Sequence, residues 1–241
     1  MDEPLLVLLH GVAGTRRVWD AFLADASNRW PGEVVALDLV GHGAAPHIAS
    51  YDYDSYADGV LDQLADRPTA PTYLVGHSLG GVVALTIAAR HDLDVRGVIG
   101  LGMKVRWSDE EIERFSAAAT RPVKVFTRRD EAVERYLRVS GLAGLVEPQS
   151  AVAMAGTRAD GAGFRLGFDP KVFAVTRPDV AGLLERVDAA VVLARGETDE
   201  MSPAADLTAL HDDVVSIAGA GHNAHVEAPD RLWELLDRLR K

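Results

Sequence analysis

The 241-residue chain contains no cysteine. That excludes disulfides, a thiolate metal site and a cysteine nucleophile, and it fits a reducing, cytoplasmic setting. Basic residues are in deficit. The 25 Lys and Arg stand against 36 Asp and Glu, for a formal charge of −11, which disfavours nucleic acid as a partner. Long apolar runs are missing too: no window approaches the roughly 18 apolar residues of a membrane span. The opening MDEPLLVLLHG carries acidic residues where a signal peptide needs basic ones, and its apolar run stops at Leu9. It reads as a strand rather than a targeting segment. Internal repeats and low-complexity tracts are absent. No G-x-G-x-x-G follows a strand and no Walker pattern occurs, so no cofactor is expected.

What is present is a chain that is 48% hydrophobic, enough for one full core or a core with an insertion. Short apolar runs rich in β-formers fall at 5–9, 33–37, 72–75, 95–101, 189–194 and 214–217. Helical patterns fall between them, at 57–64, 79–90, 108–119, 130–139 and 229–241. Thr15 is available to cap the pattern of Val18, Trp19, Phe22 and Leu23. The alternation predicts an α/β fold: a doubly wound, mostly parallel six-stranded sheet with helices on both faces. The rhythm breaks over 103–185. There 13 Lys and Arg nearly balance 12 Asp and Glu, so the acidity belongs to 1–102 and 186–241. The break suggests a core of those two stretches and an inserted, mainly helical unit. Within it, GTRADGAGFRLGFDP reads as a loose, glycine-rich stretch.

The chemistry-bearing motif is Gly76-His-Ser-Leu-Gly80, between a strand and a helix that is apolar nearly all round. G-x-S-x-G describes a sharp turn whose glycines leave room for neighbouring backbone. Its serine is held in a strained conformation with the hydroxyl exposed. The helix that follows points its N-terminus at the turn and favours negative charge there. A serine hydroxyl is a poor nucleophile at neutral pH, so it needs a general base, and the base needs an orienting carboxylate. ARGETDEMSP and GAGHNAHVEAP each follow a strand and supply both residue types. Taken alone, the residues leave Glu197, Asp199 and Glu200 as acids and His222 and His225 as bases.

HGVAG at 10–14, DLVGHG at 38–43, GHSLGG at 76–81, GETDEMSP at 196–203 and GHNAHVEAP at 221–229 occur in that order. Together they resemble the serine-nucleophile branch of the α/β-hydrolase fold family, end to end apart from the middle insertion. The resemblance implies Ser78 as nucleophile, His222 as base and Asp199 as the acid that holds the base. It implies the backbone N–H groups of Val12 and Leu79 as the oxyanion hole. His225 is then structural, and His10, His42 and His77 are packing or loop-bonding residues. Some members carry the acid after the preceding strand, but Leu101-Gly-Met-Lys-Val offers none. With the serine constellation complete and no cysteine, no metal site is expected from His222, His225 and Asp199.

The family usually has two further strands before the HG motif. The sheet here should therefore lack those first strands and run in the order 2-1-3-4-5-6, a beginning similar to the plant methylesterase and hydroxynitrile lyase branch. The insertion resembles the cap that covers the site. Trp107, Phe115, Phe126, Tyr136, Phe164, Phe168 and Phe173 are its aromatic inventory, some for a pocket and most for its own core. Lys104 and Arg106 are expected at the pocket rim, beside Trp107, as contacts for an anionic group of the substrate. The implied activity is that of a carboxylesterase-like serine hydrolase. It would cleave a carboxylic ester, thioester or lactone of a small to medium substrate through an acyl-enzyme. Lyase, C–C bond hydrolase, acyltransferase, cofactor-free oxygenase and small-molecule receptor roles share the fold and triad. Haloalkane dehalogenase and epoxide hydrolase chemistry needs an aspartate where Ser78 stands.

Overall fold

The computed structural model describes residues 3–174 and 176–240. The first part of the chain runs β1 (Leu5–Leu9), α1 (Asp20–Leu23), α2 (Ala26–Arg29), β2 (Val34–Leu37), α3 (Tyr53–Leu64), β3 (Thr72–His77), α4 (Leu79–Arg90) and β4 (Val95–Leu101). The middle carries α5 (Asp109–Ala119), α6 (Arg129–Val139), α7 (Ala151–Ala155), β5 (Thr157–Asp160), β6 (Gly163–Leu166) and α8 (Val180–Leu184). The last part returns with β7 (Ala190–Gly196), α9 (Ala204–Thr208), β8 (Val214–Ile217), α10 (Ala224–Glu227) and α11 (Pro229–Leu239). Six strands form one sheet in the order β2-β1-β3-β4-β7-β8, and every pair in it is parallel. This is the expected sheet and strand order. Among the described residues, no helix is long and apolar enough to cross a membrane.

The inner strands β1, β3, β4 and β7 are buried on both faces over most of their length, which is why they read as apolar runs, while the edge strands β2 and β8 are only partly buried. Alternate residues split between two apolar clusters. Val7, Leu9, Leu74 and Val98 pack with α3 and α4 on one side. Leu6, Leu8, Val75 and Ile99 pack with Trp19, Phe22 and α11 on the other, where Phe22 stacks on Trp233 at 4.0 Å. Every residue of α4 except Arg90 is buried, as its all-round apolar pattern requires. Asp52 and Ser108 start α3 and α5 with reciprocal capping boxes to Ser55 and Glu111.

Two local expectations need correction. Thr15 stands at the N-cap position of a short 3-10 turn, Arg16–Trp19, but its side chain makes no capping bond. The hydroxyl is buried without a partner among the described residues. The glycine-rich stretch is not loose. β5 and β6 pair antiparallel, from Thr157 with Leu166 to Asp160 with Gly163. That leaves a two-residue connection that opens on Gly161 at φ 57°, the left-handed geometry such hairpins need.

The middle segment is not packed around a private core. Among the described residues, Val133, Tyr136 and Leu137 of α6 join one face cluster of the sheet. Phe168, Val172, Val180 and Leu183 join the other.

The tightest packing lies where α4 leaves β3. A Cβ on Gly76 would drive into the carbonyl of Gly80, and one on Gly80 into the carbonyls of Leu9 and His10. The obstacle is backbone, which cannot swing aside. Gly80→Ala is therefore expected to cost about 1–3 kcal/mol, measured as a lower urea midpoint at unchanged m-value. An unchanged midpoint would contradict this packing.

Candidate active site

Parallel α/β sheets gather their chemistry at the carboxyl ends of strands, where the strand order reverses. Here β1 is flanked by β2 on one side and β3 on the other. Val12 follows β1 and Ser78 follows β3, so the two stand across that reversal. Ser78 has φ 51° and ψ −113°, a conformation that costs a non-glycine residue about 1–3 kcal/mol. Its N–H donates to Leu101 O at 2.7 Å, which fixes the turn against the end of β4. The side chain faces a chamber of about 300 Å³ that His222, Gly11, Val12 and Leu79 also line.

Asp199 and His222 arrive on the loops after β7 and β8. His222 Nδ1 lies 2.9 Å from Asp199 Oδ2. The carboxylate side chain is 1% exposed and the imidazole 22%, so the pair is dry on the acid side and open on the base side. Asp199 Oδ1 accepts the Met201 N–H at 2.9 Å. With both carboxylate oxygens engaged, the Nδ1 proton is held on the side of Asp199 and Nε2 is left as the free basic nitrogen. Among the described residues, Nε2 makes no hydrogen bond and the ring lines the Ser78 chamber. Gly102, at φ 60°, leaves space beside the pair: a Cβ there would meet Asp199 Oδ2 and His222 Nδ1, each at 3.4 Å.

The neighbouring backbone offers two donors. Among the described residues, the N–H groups of Val12 and Leu79 have no protein acceptor. Leu79 is the first residue of α4, so its N–H is one of the donors a helix start leaves free. Both residues line the chamber.

The family model described as "Alpha/beta hydrolase family" matches residues 6–235. The chain belongs to the α/β-hydrolase family. It is 30% identical over 81% of its length to a pimeloyl-[acyl-carrier protein] methyl ester esterase of Neisseria meningitidis serogroup B / serotype 15 (strain H44/76), and covers 75% of that protein. It is likewise 30% identical, over 94% of its length and 89% of the other, to a 2-succinyl-6-hydroxy-2,4-cyclohexadiene-1-carboxylate synthase of Klebsiella pneumoniae (strain 342). Among solved structures, the crystal structure of E-2-(acetamidomethylene)succinate hydrolase superposes with a TM-score of 0.80 at 25% identity, covering 99% of this chain and 91% of that one. The chain is thus an enzyme of a family whose named relatives include esterases and hydrolases.

Within this α/β-hydrolase the rival residues separate. Glu197 and Glu200 are exposed, and the Glu197 carboxylate is engaged by the Gly219 N–H at 2.9 Å. His225 is 1% exposed, and its ring lies 4.2 Å from that of His77 and 4.7 Å from Trp19. His10 Nε2 accepts the Leu39 N–H at 3.0 Å. His42 Nε2 accepts the Ala13 N–H at 3.1 Å. His77 Nε2 donates to the His222 carbonyl at 2.9 Å. These three are fasteners of the loops around the site.

The expected rim pair is split. Lys104 and Trp107 line the chamber, with Lys104 Nζ 2.9 Å from Glu111 and 5.4 Å from the Trp107 ring centroid. Arg106 does not: its side chain is 71% exposed and pairs with Asp206 at 3.0 Å. A residue that the sequence reading passed over does more. Arg195, at the end of β7, is 8% exposed and donates to the carbonyls of Glu197, Asp199 and Ser202. One guanidinium thus shapes the loop that carries Asp199. The available signal was an arginine inside the apolar run VVLARG. Tyr53, Ser140, Gly141 and Met201, none of them singled out by motif, also line the chamber.

Burial holds His225 down to about 3 from 6.5, and pushes His10 down and His42 and His77 well down. In the unfolded chain these rings take up protons as pH falls through 6.5. In the folded chain they do not, so acid favours unfolding. Stability is expected to decline between pH 6.5 and 3, by at most about 1.4 kcal/mol per pH unit for each such ring. Urea titrations of wild type and His225→Leu check this: the variant should lose stability less steeply below pH 6.5, and parallel curves would contradict the assignment.

Proposed function

We propose that this α/β-hydrolase cleaves a carboxylic ester or thioester through an acyl-Ser78 intermediate, with His222 as general base and acid and Asp199 as its orienting carboxylate. The observation that carries the reading is the convergence, on one chamber, of a strained serine, an aspartate-held imidazole with a free nitrogen, and two unpartnered backbone N–H groups.

Each step follows from that arrangement. Ser78 Oγ attacks the substrate carbonyl carbon as His222 Nε2 takes its proton. The carbonyl π pair moves onto oxygen, and the oxyanion is received by the N–H of Val12, in the turn after β1, and the N–H of Leu79, at the start of α4. Donors of this kind are each worth about 10²–10³ in rate. Asp199 stabilises the imidazolium. Collapse expels the alkoxide or thiolate, which His222 protonates, and Ser78 keeps the acyl group. Water then attacks in the same way and restores the serine.

Residues 103–185 serve as the cap in this reading. The support is that Trp107, Phe115, Val139, Ser140 and Phe173 all come from that segment and all line the chamber. The substrate is a small molecule or a small appended group, since the chamber of about 300 Å³ matches the lower end of ligand pockets. The relative named as a synthase keeps open a second use of the same residues, in which the chain performs non-hydrolytic chemistry.

The test is steady-state hydrolysis of p-nitrophenyl acetate and butyrate. Wild type should turn over. Ser78→Ala and His222→Ala should each lower kcat by about 10⁶, and Asp199→Asn by about 10⁴. Turnover that survives Ser78→Ala would overturn the reading, and a folded wild type inert to every ester would favour the non-hydrolytic use.

A further inference from the structure

A second and larger chamber, of about 690 Å³, lies within the middle segment. Phe126, Leu166, Phe168 and Pro170 give it an apolar lining, and Arg121, Lys124 and Arg135 stand among its walls. Among the described residues, none of these three cations has an acidic partner within salt-bridge distance, although most of the other arginines do. Val123 and Val125, two of the few large apolar side chains left exposed, flank Lys124 in sequence at 47% and 51% exposure. The three cations stand at the open side of the cavity, exposed to solvent, with Lys124 Nζ 4.7 Å from the centroid of the Phe126 ring. An apolar cavity rimmed by cations without carboxylate partners, in a protein whose net charge is −11, is complementary to an anionic amphiphile.

The chamber is not remote from Ser78. Val139 and Phe173 line both cavities. A run of edge-on aromatic rings continues from one to the other: Trp107 to Phe115 at 5.0 Å, Phe115 to Phe173 at 5.9 Å, and Phe173 to Phe168 at 5.6 Å. Trp107 and Phe115 belong to the Ser78 chamber, Phe168 to the larger one, and Phe173 to both.

The geometry points to a distal substrate subsite: the larger chamber receives the far end of a substrate whose ester lies at Ser78, an extended apolar chain that ends in an anionic group met by Arg121, Lys124 and Arg135. The inference rests on the proposed function for the placement of the ester. It adds the substrate class, an ester of a medium-length ω-anionic acid. Each methylene drawn into the apolar part should improve affinity about fourfold. The charged end should add about tenfold through charge-assisted hydrogen bonds, for which the two arginine forks suit a carboxylate or a phosphonate.

Calorimetry on the Ser78→Ala protein tests this without requiring turnover, so an enzyme inert to esters would sink the proposed function and leave this result readable. The probes are monoethyl sebacate, ethyl 10-phosphonodecanoate and the neutral ethyl decanoate, with monoethyl adipate as the short acid. The expected result is that one or both anionic ten-carbon esters bind at least about tenfold more tightly than ethyl decanoate. The carboxylate and phosphonate arms tell which anion the site prefers. Monoethyl adipate should bind far more weakly than monoethyl sebacate. The preference for charge should vanish in Ser78→Ala carrying Arg121→Gln, Lys124→Gln and Arg135→Gln, with its melting temperature kept as a check on folding. Equal binding of charged and neutral esters would overturn the subsite, as would a charge preference that survives the triple replacement in a folded protein.

Discussion

Backbone packed too closely for a Cβ holds Ser78 where it is. Gly76 and Gly80 lie against each other, and Gly80 also lies against the carbonyls of Leu9 and His10 at the end of β1. The chain can pass from β3 into α4 only by putting Ser78 into the left-handed region. Steric pressure of this kind does not fluctuate as a side-chain contact does. It fixes the serine, sets the first N–H of α4 next to it, and leaves the turn after β1 close by, where a Cβ on Gly11 would lie 3.2 Å from Ser78 Cβ. The strain of about 1–3 kcal/mol is spread against a helix with eleven of its twelve residues buried, which explains why the turn does not relax.

The remaining half of the site hangs on loops, and the loops are held by buried polar groups rather than by apolar packing. Arg195 gathers three carbonyls of the loop that carries Asp199. Ser202 ties that loop to Met103 O at 2.8 Å. His77, next to the nucleophile in sequence, donates to the backbone of His222. A neutral ring with one donor and one acceptor nitrogen fits such places well. Burial keeps it neutral, so the fastening is strong near neutral pH and fails in acid.

The sheet was legible because its inner strands are buried on both faces and helices follow its strands. Six apolar runs give six strands in the expected order. The three residues proposed as the triad drew notice because each stands just beyond a strand, within a short stretch of distinctive glycine and proline spacing. Other features left no such mark. The β5–β6 hairpin is short, carries Arg158, Asp160 and Arg165, and takes its register from Gly161, so its glycines read as looseness. Lys104 and Arg106 are two residues apart and look alike in sequence, yet one faces the chamber and the other pairs with Asp206. Which way a rim side chain turns depends on acids that are remote in sequence, Glu111 and Asp206. Arg195 is informative only once its carbonyl partners are in place.

The central claim is that Ser78 carries the acyl group between two half-reactions, and the most direct measurement weighs the protein during turnover. Wild type is mixed with p-nitrophenyl butyrate, quenched in acid within the first turnovers, and examined by intact-mass and peptide mass spectrometry. The account requires a single butyryl increment on the peptide that contains Ser78, absent from Ser78→Ala. Ester hydrolysis without any adduct on that peptide, or with the adduct on another residue, would contradict it.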